Sequence, residues 1–187
     1  YITDVDFLKN YTDVVELTAP ESEESILAVA PQFCGRVMTS SLSGPDGASY
    51  GWLNKGFIQG QKPDPQFNNY GGEDRFWLGP EGGQYALWFQ KGQPFDTTHW
   101  KTPAGFDQGA FTVTSQGNRS VSMTTHFEVS NFSGTRFDCA VKRTISVLSR
   151  DQAAKFLAAT PGEGVKMVAF ESANTLANSG HAEWTQN

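Results

Sequence analysis

The sequence predicts an all-β domain, an antiparallel β-sandwich with one or two short helices. Three observations predict it: an aromatic-rich composition, closely spaced turn residues, and stretches of regular apolar and polar alternation. The 187 residues include 14 Phe, 5 Trp and 5 Tyr, side chains that pack well on a pleated surface. The 19 Gly and 9 Pro supply turns at the short intervals that a sandwich or barrel needs. The length suits one core, so residues 1–187 are taken as a single domain.

The elements follow in order. Thr3 stands three residues before Asp6, a capping-box spacing that opens a short helical turn carrying Val5, Phe7 and Leu8. Segments 14–18, 26–30 and 36–42 are rich in strand formers and separated by polar or proline breaks. Gly44-Pro45-Asp46-Gly47 is a tight turn that returns the chain to Tyr50-Gly51-Trp52-Leu53 as a hairpin. Residues 54–82 mix Gly, Pro and Asn with interleaved aromatics, and predict a long ordered loop of the kind that carries function in compact domains.

From Gln84 both faces of the alternation are apolar, with Tyr85, Leu87 and Phe89 on one side and Ala86 and Trp88 on the other. That pattern predicts a central strand. Between 120 and 129, Val121, Met123, Thr125, Phe127 and Val129 form a dry face and Ser120, Ser122, Thr124, His126 and Glu128 a wet one. In the next strand Phe137, Cys139, Val141, Ile145 and Val147 share a face with Arg143, and a cation in an apolar row needs a carboxylate partner. Ser149 and Gln152 have capping-box spacing ahead of good helix formers, and Pro161-Gly162 stops the run, so a helix is expected near 150–159. A last strand, 167–178, carries Phe170, Asn174, Leu176 and Asn178 on one face. The sequence then closes at Glu183-Trp184-Thr185-Gln186-Asn187 without a covering element, an arrangement that leaves a sheet open to self-association.

Charge narrows the partners. A net charge of −6 and no basic run count against nucleic acid, whose affinity comes from Lys and Arg on phosphates. No apolar stretch approaches the roughly 18 to 20 residues of a membrane-spanning helix. Cys34 and Cys139 each lack a second Cys or a His at ligand spacing, which removes zinc. They are read as two buried thiols, with a disulfide as the alternative in an oxidising compartment.

The richest chemistry lies in Tyr70-Gly71-Gly72-Glu73-Asp74-Arg75-Phe76-Trp77-Leu78-Gly79-Pro80-Glu81-Gly82-Gly83. Aromatic faces stack on the C–H side of a pyranose, carboxylates and Arg take its hydroxyls, and glycines let the backbone approach. Glu73, Asp74, Arg75, Trp77 and Glu81 are therefore candidate ligand-binding residues for a carbohydrate. Two other readings stay open: a salt-bridge network that only locks a long loop, and a calcium site built from carboxylate and carbonyl oxygens. No other cofactor is implied, and no metal site is assigned.

Arg36, beside Gly35, joins the ligand candidates, as do His99, which precedes Trp100 in a loop, and His126, on the wet face of its strand. His181 sits in a turn and carries no assignment. Ser40, Ser41 and Ser43 lack the G-x-S-x-G elbow, H-E-x-x-H is absent, and the glycine pairs lack the Lys-Ser/Thr ending of a phosphate loop.

Pro31-Gln32-Phe33-Cys34-Gly35-Arg36-Val37-Met38-Thr39-Ser40-Ser41, followed by Pro45-Asp46-Gly47 and Tyr50-Gly51-Trp52, resembles the opening of aldose 1-epimerase-like proteins. The 70–83 block and Phe170-Glu171-Ser172-Ala173-Asn174-Thr175-Leu176-Ala177-Asn178-Ser179-Gly180 look like a family of uncharacterised bacterial proteins with the galactose-mutarotase-like fold. The resemblance implies that the chain is the N-terminal half of a β-supersandwich whose concave sheet faces a carbohydrate. Mutarotases use a His acid and a Glu base from the C-terminal half, so the resemblance places the base outside this chain and transfers no catalytic residue to it. An aldose 1-epimerase activity, a lyase or hydrolase accessory role and a non-catalytic interaction module are the alternatives. A start at Tyr1 without Met, with a sugar-facing fold, points to the periplasm or the cell exterior.

Overall fold

Alternation produces the best-formed part of the molecule. In the computed structural model, which describes residues 1–185, strands β5 (Ser120–Ser130) and β6 (Arg136–Val147) pair antiparallel without a register break, from Ser120 opposite Ser146 to Ser130 opposite Arg136. Val121, Met123, Val141, Ile145 and Val147 are buried on one face, while His126, Glu128 and Lys142 stay exposed on the other. Strand β4 (Thr112–Gln116) adds to β5 and strand β7 (Phe170–Asn178) to β6, completing a four-stranded antiparallel sheet in the order β4-β5-β6-β7.

The second sheet is a three-stranded meander of β1 (Val15–Ala19), β2 (Ser22–Ala30) and β3 (Arg36–Ser41). Strand β1 lies against β5 and β6, and Val15, Leu17, Leu27, Val29 and Val37 share one core with Val121, Met123, Val141 and Ile145. The outer face of the meander is covered as well. Helix α1 (Ile2–Lys9) and helix α2 (Lys55–Gly60) bring Val5, Leu8 and Ile58 onto Ile26, Ala28, Ala30 and Met38. Burial on both faces explains why every residue of β3 is inaccessible, as expected of an interior strand.

Two antiparallel sheets with few short helices make the chain all-β, as expected. Four helices occur among the described residues where one or two are expected: α3 (Ala104–Asp107) and α4 (Arg150–Leu157) complete the set. Helix α4 has the full capping box, the Ser149 side chain accepting from Gln152 N and the Gln152 side chain from Ser149 N. Helix α1, in contrast, starts after Tyr1 with no side-chain cap, so the Thr3–Asp6 spacing is not used.

Two expected strands are absent, for one reason. The segment after Gln84 is irregular, although Ala86, Trp88 and Phe89 are buried. Its backbone bonds go to turns and neighbouring loops: Ala86 N to Gly83 O, Leu87 N to Pro80 O, and Phe132 N to Ala86 O. Likewise Tyr50–Leu53 is no hairpin strand, being held by Tyr50 N to Ser40 O and one bridge between Leu53 and Gly71. Residues 42–103, helix α2 apart, wrap the sandwich as an aromatic-rich covering layer, and apolar side chains that cover a core need burial but no ladder. Gln186 and Asn187, at the close of the sequence, lie outside the described residues.

Candidate functional site

Gly71 and Gly72 bring the 70–83 block onto the sandwich. Their φ values of +83° and +98° belong to the left-handed half of backbone space. A Cβ on Gly71 would stand 2.2 Å from the Trp52 carbonyl oxygen, and one on Gly72 2.8 Å from the Val37 carbonyl oxygen. The bare backbone therefore slides between β3 and the 50–54 segment, bonding Gly72 N to Trp52 O and Glu73 N to Val37 O. Arg36, Trp52, Phe67, Asn69, Glu73, Asp74 and Arg75 then surround an open cleft of about 370 Å³.

Asp74 turns inward. Its Oδ2 accepts from Nη2 of Arg143, a side chain with 0% exposure, in an ion pair. The same guanidinium donates through Nε to Gly35 O at 2.9 Å and through Nη1 to Asn174 Oδ1 at 2.8 Å. The cation in the apolar row of β6 thus has its carboxylate, and it ties β7, the turn before β3 and the 70–83 block together.

Glu73 turns the other way. Both carboxylate oxygens accept from the Ser40 hydroxyl, at 3.0 and 3.1 Å. Burial pushes its carboxyl above the ordinary range, and the Ser40 bonds only partly offset this. A group with a raised folded-state pKa stabilises the fold below its unfolded pKa and loses that contribution as pH rises through the folded value. Glu73→Gln, which keeps the shape without the charge, should accordingly raise the thermal midpoint at pH 7 to 8, and the gain over wild type should vanish below about pH 4. Paired melting curves across that range check it; a gain independent of pH would show that burial of the charge is not the cause.

The two arginines at the cleft are under-used. Arg36 is 3% exposed and donates through Nη1 to Gly71 O at 2.6 Å, but its buried Nη2 has no partner. Arg75 lies with its guanidinium carbon 3.7 Å from the centroid of the Trp77 ring and 4.8 Å from that of Phe67, and its buried Nη1 is also without a partner. Burial, with the Arg36 charge next, lowers the Arg75 guanidinium to about 10. Asp107, buried beneath them, accepts from Asn68 through Oδ2 while its Oδ1 has no partner.

The remaining candidates are spread out. Trp77 and Glu81 stand behind Arg75: Glu81 Oε1 accepts from Trp77 Nε1 at 2.8 Å and Oε2 from Trp100 Nε1 at 3.3 Å. His99 bonds locally, its Nδ1 2.6 Å from Asp96 Oδ1. His126 lies in a separate groove of about 380 Å³ with His181, Glu128 and Asp138. So the structure brings together Arg36, Glu73, Asp74 and Arg75, sets Trp77 and Glu81 next to them, and places His99 and His126 outside the cleft. Sequence reasoning missed Trp52, Phe67, Asn69 and Asp107 as site residues; the Gly51-Trp52 pair in a polar, turn-rich stretch was the available signal for Trp52, which is 61% exposed. Cys34 and Cys139 are free buried thiols, with burial pushing Cys34 up to about 11. No cluster of three or more His, Cys, Asp and Glu fit for a metal ion occurs among the described residues, and no helix there is long and apolar enough to cross a membrane.

A family model covers residues 1–187 in full. The chain belongs to DUF6786, a family of unknown function. No curated protein and no solved structure matches it. For a DUF6786 chain the cleft geometry is thus the guide to function: planar donors, carboxylate acceptors and aromatic surface in one concavity, the combination that recognises polar ligands with apolar faces.

Proposed function

We propose that this DUF6786 chain binds a carbohydrate in the cleft between β3 and the 70–83 block, as part of a galactose-mutarotase-like β-supersandwich. The observation that carries the reading is the contrast within that block. Asp74 is committed to Arg143, but Arg36 and Arg75 each keep a buried guanidinium nitrogen without a partner beside a concave surface where Trp52 is exposed. Structural networks are normally satisfied; donors left open at a cleft are what a hydroxyl-rich ligand uses. Asp74 with Arg143 supports the lock reading for that pair, so the block joins a structural half to a ligand-facing half.

Binding rather than turnover is assigned. Mutarotation needs an acid and a base about the ring oxygen and anomeric hydroxyl, and among the described residues no histidine lines this cleft. A calcium ion is disfavoured by the two guanidiniums there. A periplasmic or extracellular place fits a protein that meets free saccharides.

Trp52→Ala tests the proposal because its side chain is solvent-exposed and dispensable to the core. Calorimetric titration with a panel of oligosaccharides should show affinity lowered by roughly 1 kcal/mol or more, the scale of one aromatic contact, with the thermal midpoint nearly unchanged. Unaltered affinity for every saccharide that binds the wild type would sink this cleft as the site.

A further inference from the structure

Charge is distributed unevenly among the groups of the cleft. Asp74 is paired to Arg143 and Glu73 is bonded to Ser40. Among the described residues neither Arg36 nor Arg75 forms an ion pair with any carboxylate. The carboxylate that acts on both is Asp107, which attracts them electrostatically while its hydrogen bonds go to Asn68. Asp107 therefore faces two guanidiniums, and Glu81, committed to Trp77 and Trp100, acts on Arg75 alone without an ion pair.

The geometry of the donors sharpens this. Arg75 makes no hydrogen bond within the protein that would fix its fork; its guanidinium carbon lies over the Trp77 and Phe67 rings. Its Nη1 is buried and without a partner, and a guanidinium fork matches the two oxygens of a carboxylate or a sulfate. Arg36, nine-tenths or more buried, has Nη2 unpartnered in the same cleft. A neutral sugar offers hydroxyls to such donors, but no charge to balance them. A buried cation without a hydrogen-bonded counter-ion is costly, and an anionic ligand that supplies one gains correspondingly.

We infer that the ligand is an anionic saccharide, whose oxyanion, the carboxylate of a uronic acid or a sulfate ester, is received by Arg75 and Arg36. This rests on the carbohydrate reading above and specifies its substrate class. Glu73, on the Ser40 side of the cleft, then takes sugar hydroxyls, and Trp52 contributes its aromatic surface.

The test compares charged and neutral partners of the same shape by calorimetric titration of the intact chain: an oligogalacturonate against its methyl ester, and a sulfated oligosaccharide against its unsulfated parent. One charged member should bind roughly ten- to hundredfold more tightly than its neutral partner, the scale of a hydrogen-bonded charge, and the pair that shows it identifies the oxyanion. Arg75→Gln, which breaks no hydrogen bond of the protein, should erase most of that preference. Raising salt from about 0.02 M to about 0.5 M should shrink it in the wild type, independently of any variant. Equal affinity for charged and neutral partners overturns the inference and leaves a neutral-sugar site standing. Failure of every saccharide to bind overturns both.

Discussion

Arg143→Ala should be the most damaging single substitution in this chain. The side chain is fully buried in the β5–β6 layer and reaches Asp74, Asn174 and the Gly35 carbonyl at once. Removing one partner of a buried ion pair typically costs about 3–5 kcal/mol, because the other charge is left uncompensated. For a domain of this size each kcal/mol lowers the thermal midpoint by about 2–4 °C, so a fall on the order of 10 °C is expected in a melting experiment. The double variant Arg143→Met with Asp74→Leu, which removes both charges and restores volume, should recover much of the loss. A double variant as unstable as the single would show that the bonds to Asn174 and Gly35 matter more than the pair.

Gly71→Ala should be nearly as harmful, by a different route. The new methyl would meet the Trp52 carbonyl oxygen at 2.2 Å and the Asn54 nitrogen at 3.1 Å, both backbone, on a residue with φ of +83°. Left-handed strain alone costs about 1–2 kcal/mol, and the clash forces the block away from the 50–54 segment. Because Gly71 O also receives Arg36 Nη1, the cleft should open together with the loss of stability, so saccharide affinity and thermal midpoint fall in the same variant. Gly82→Ala is the control: nothing lies within 4 Å of a Cβ there, and it should leave both unchanged. Loss of stability in Gly82→Ala would instead point to a general intolerance of the loop.

Much of the β framework was legible in the sequence, because one-sided burial writes a period of two into β5 and β6. The Ser149–Gln152 box was legible for a local reason, its two bonds spanning three residues. The need of Arg143 for a carboxylate was legible as well; its identity was not, since Asp74 lies 69 residues away and nothing local selects it over Glu73. The failure at 84–89 has a related origin. Ala86, Trp88 and Phe89 are apolar because they cover a core, and periodicity cannot separate a covering loop from a buried strand. In the site, Glu73, Asp74 and Arg75 stood out by residue type, whereas Asp107 and Trp52 gain their meaning from a cleft that exists only after the chain has folded.

The hub at Arg143 also sets when during synthesis the cleft can exist. Its three partners lie 108, 69 and 31 residues from it along the chain, so closing them carries a large loop entropy that local contacts do not offset. As the ribosome delivers the chain from the N-terminus, the β1–β2–β3 meander and the Gly-Gly block emerge well before the residue that clamps them. Until β6 arrives and β7 docks beside it, Asp74 and the Gly35 carbonyl stay in water. The cleft is thus deferred until β7 has been made, and a nascent chain that stops short of Asn174 presents the cleft residues without the geometry that assembles them.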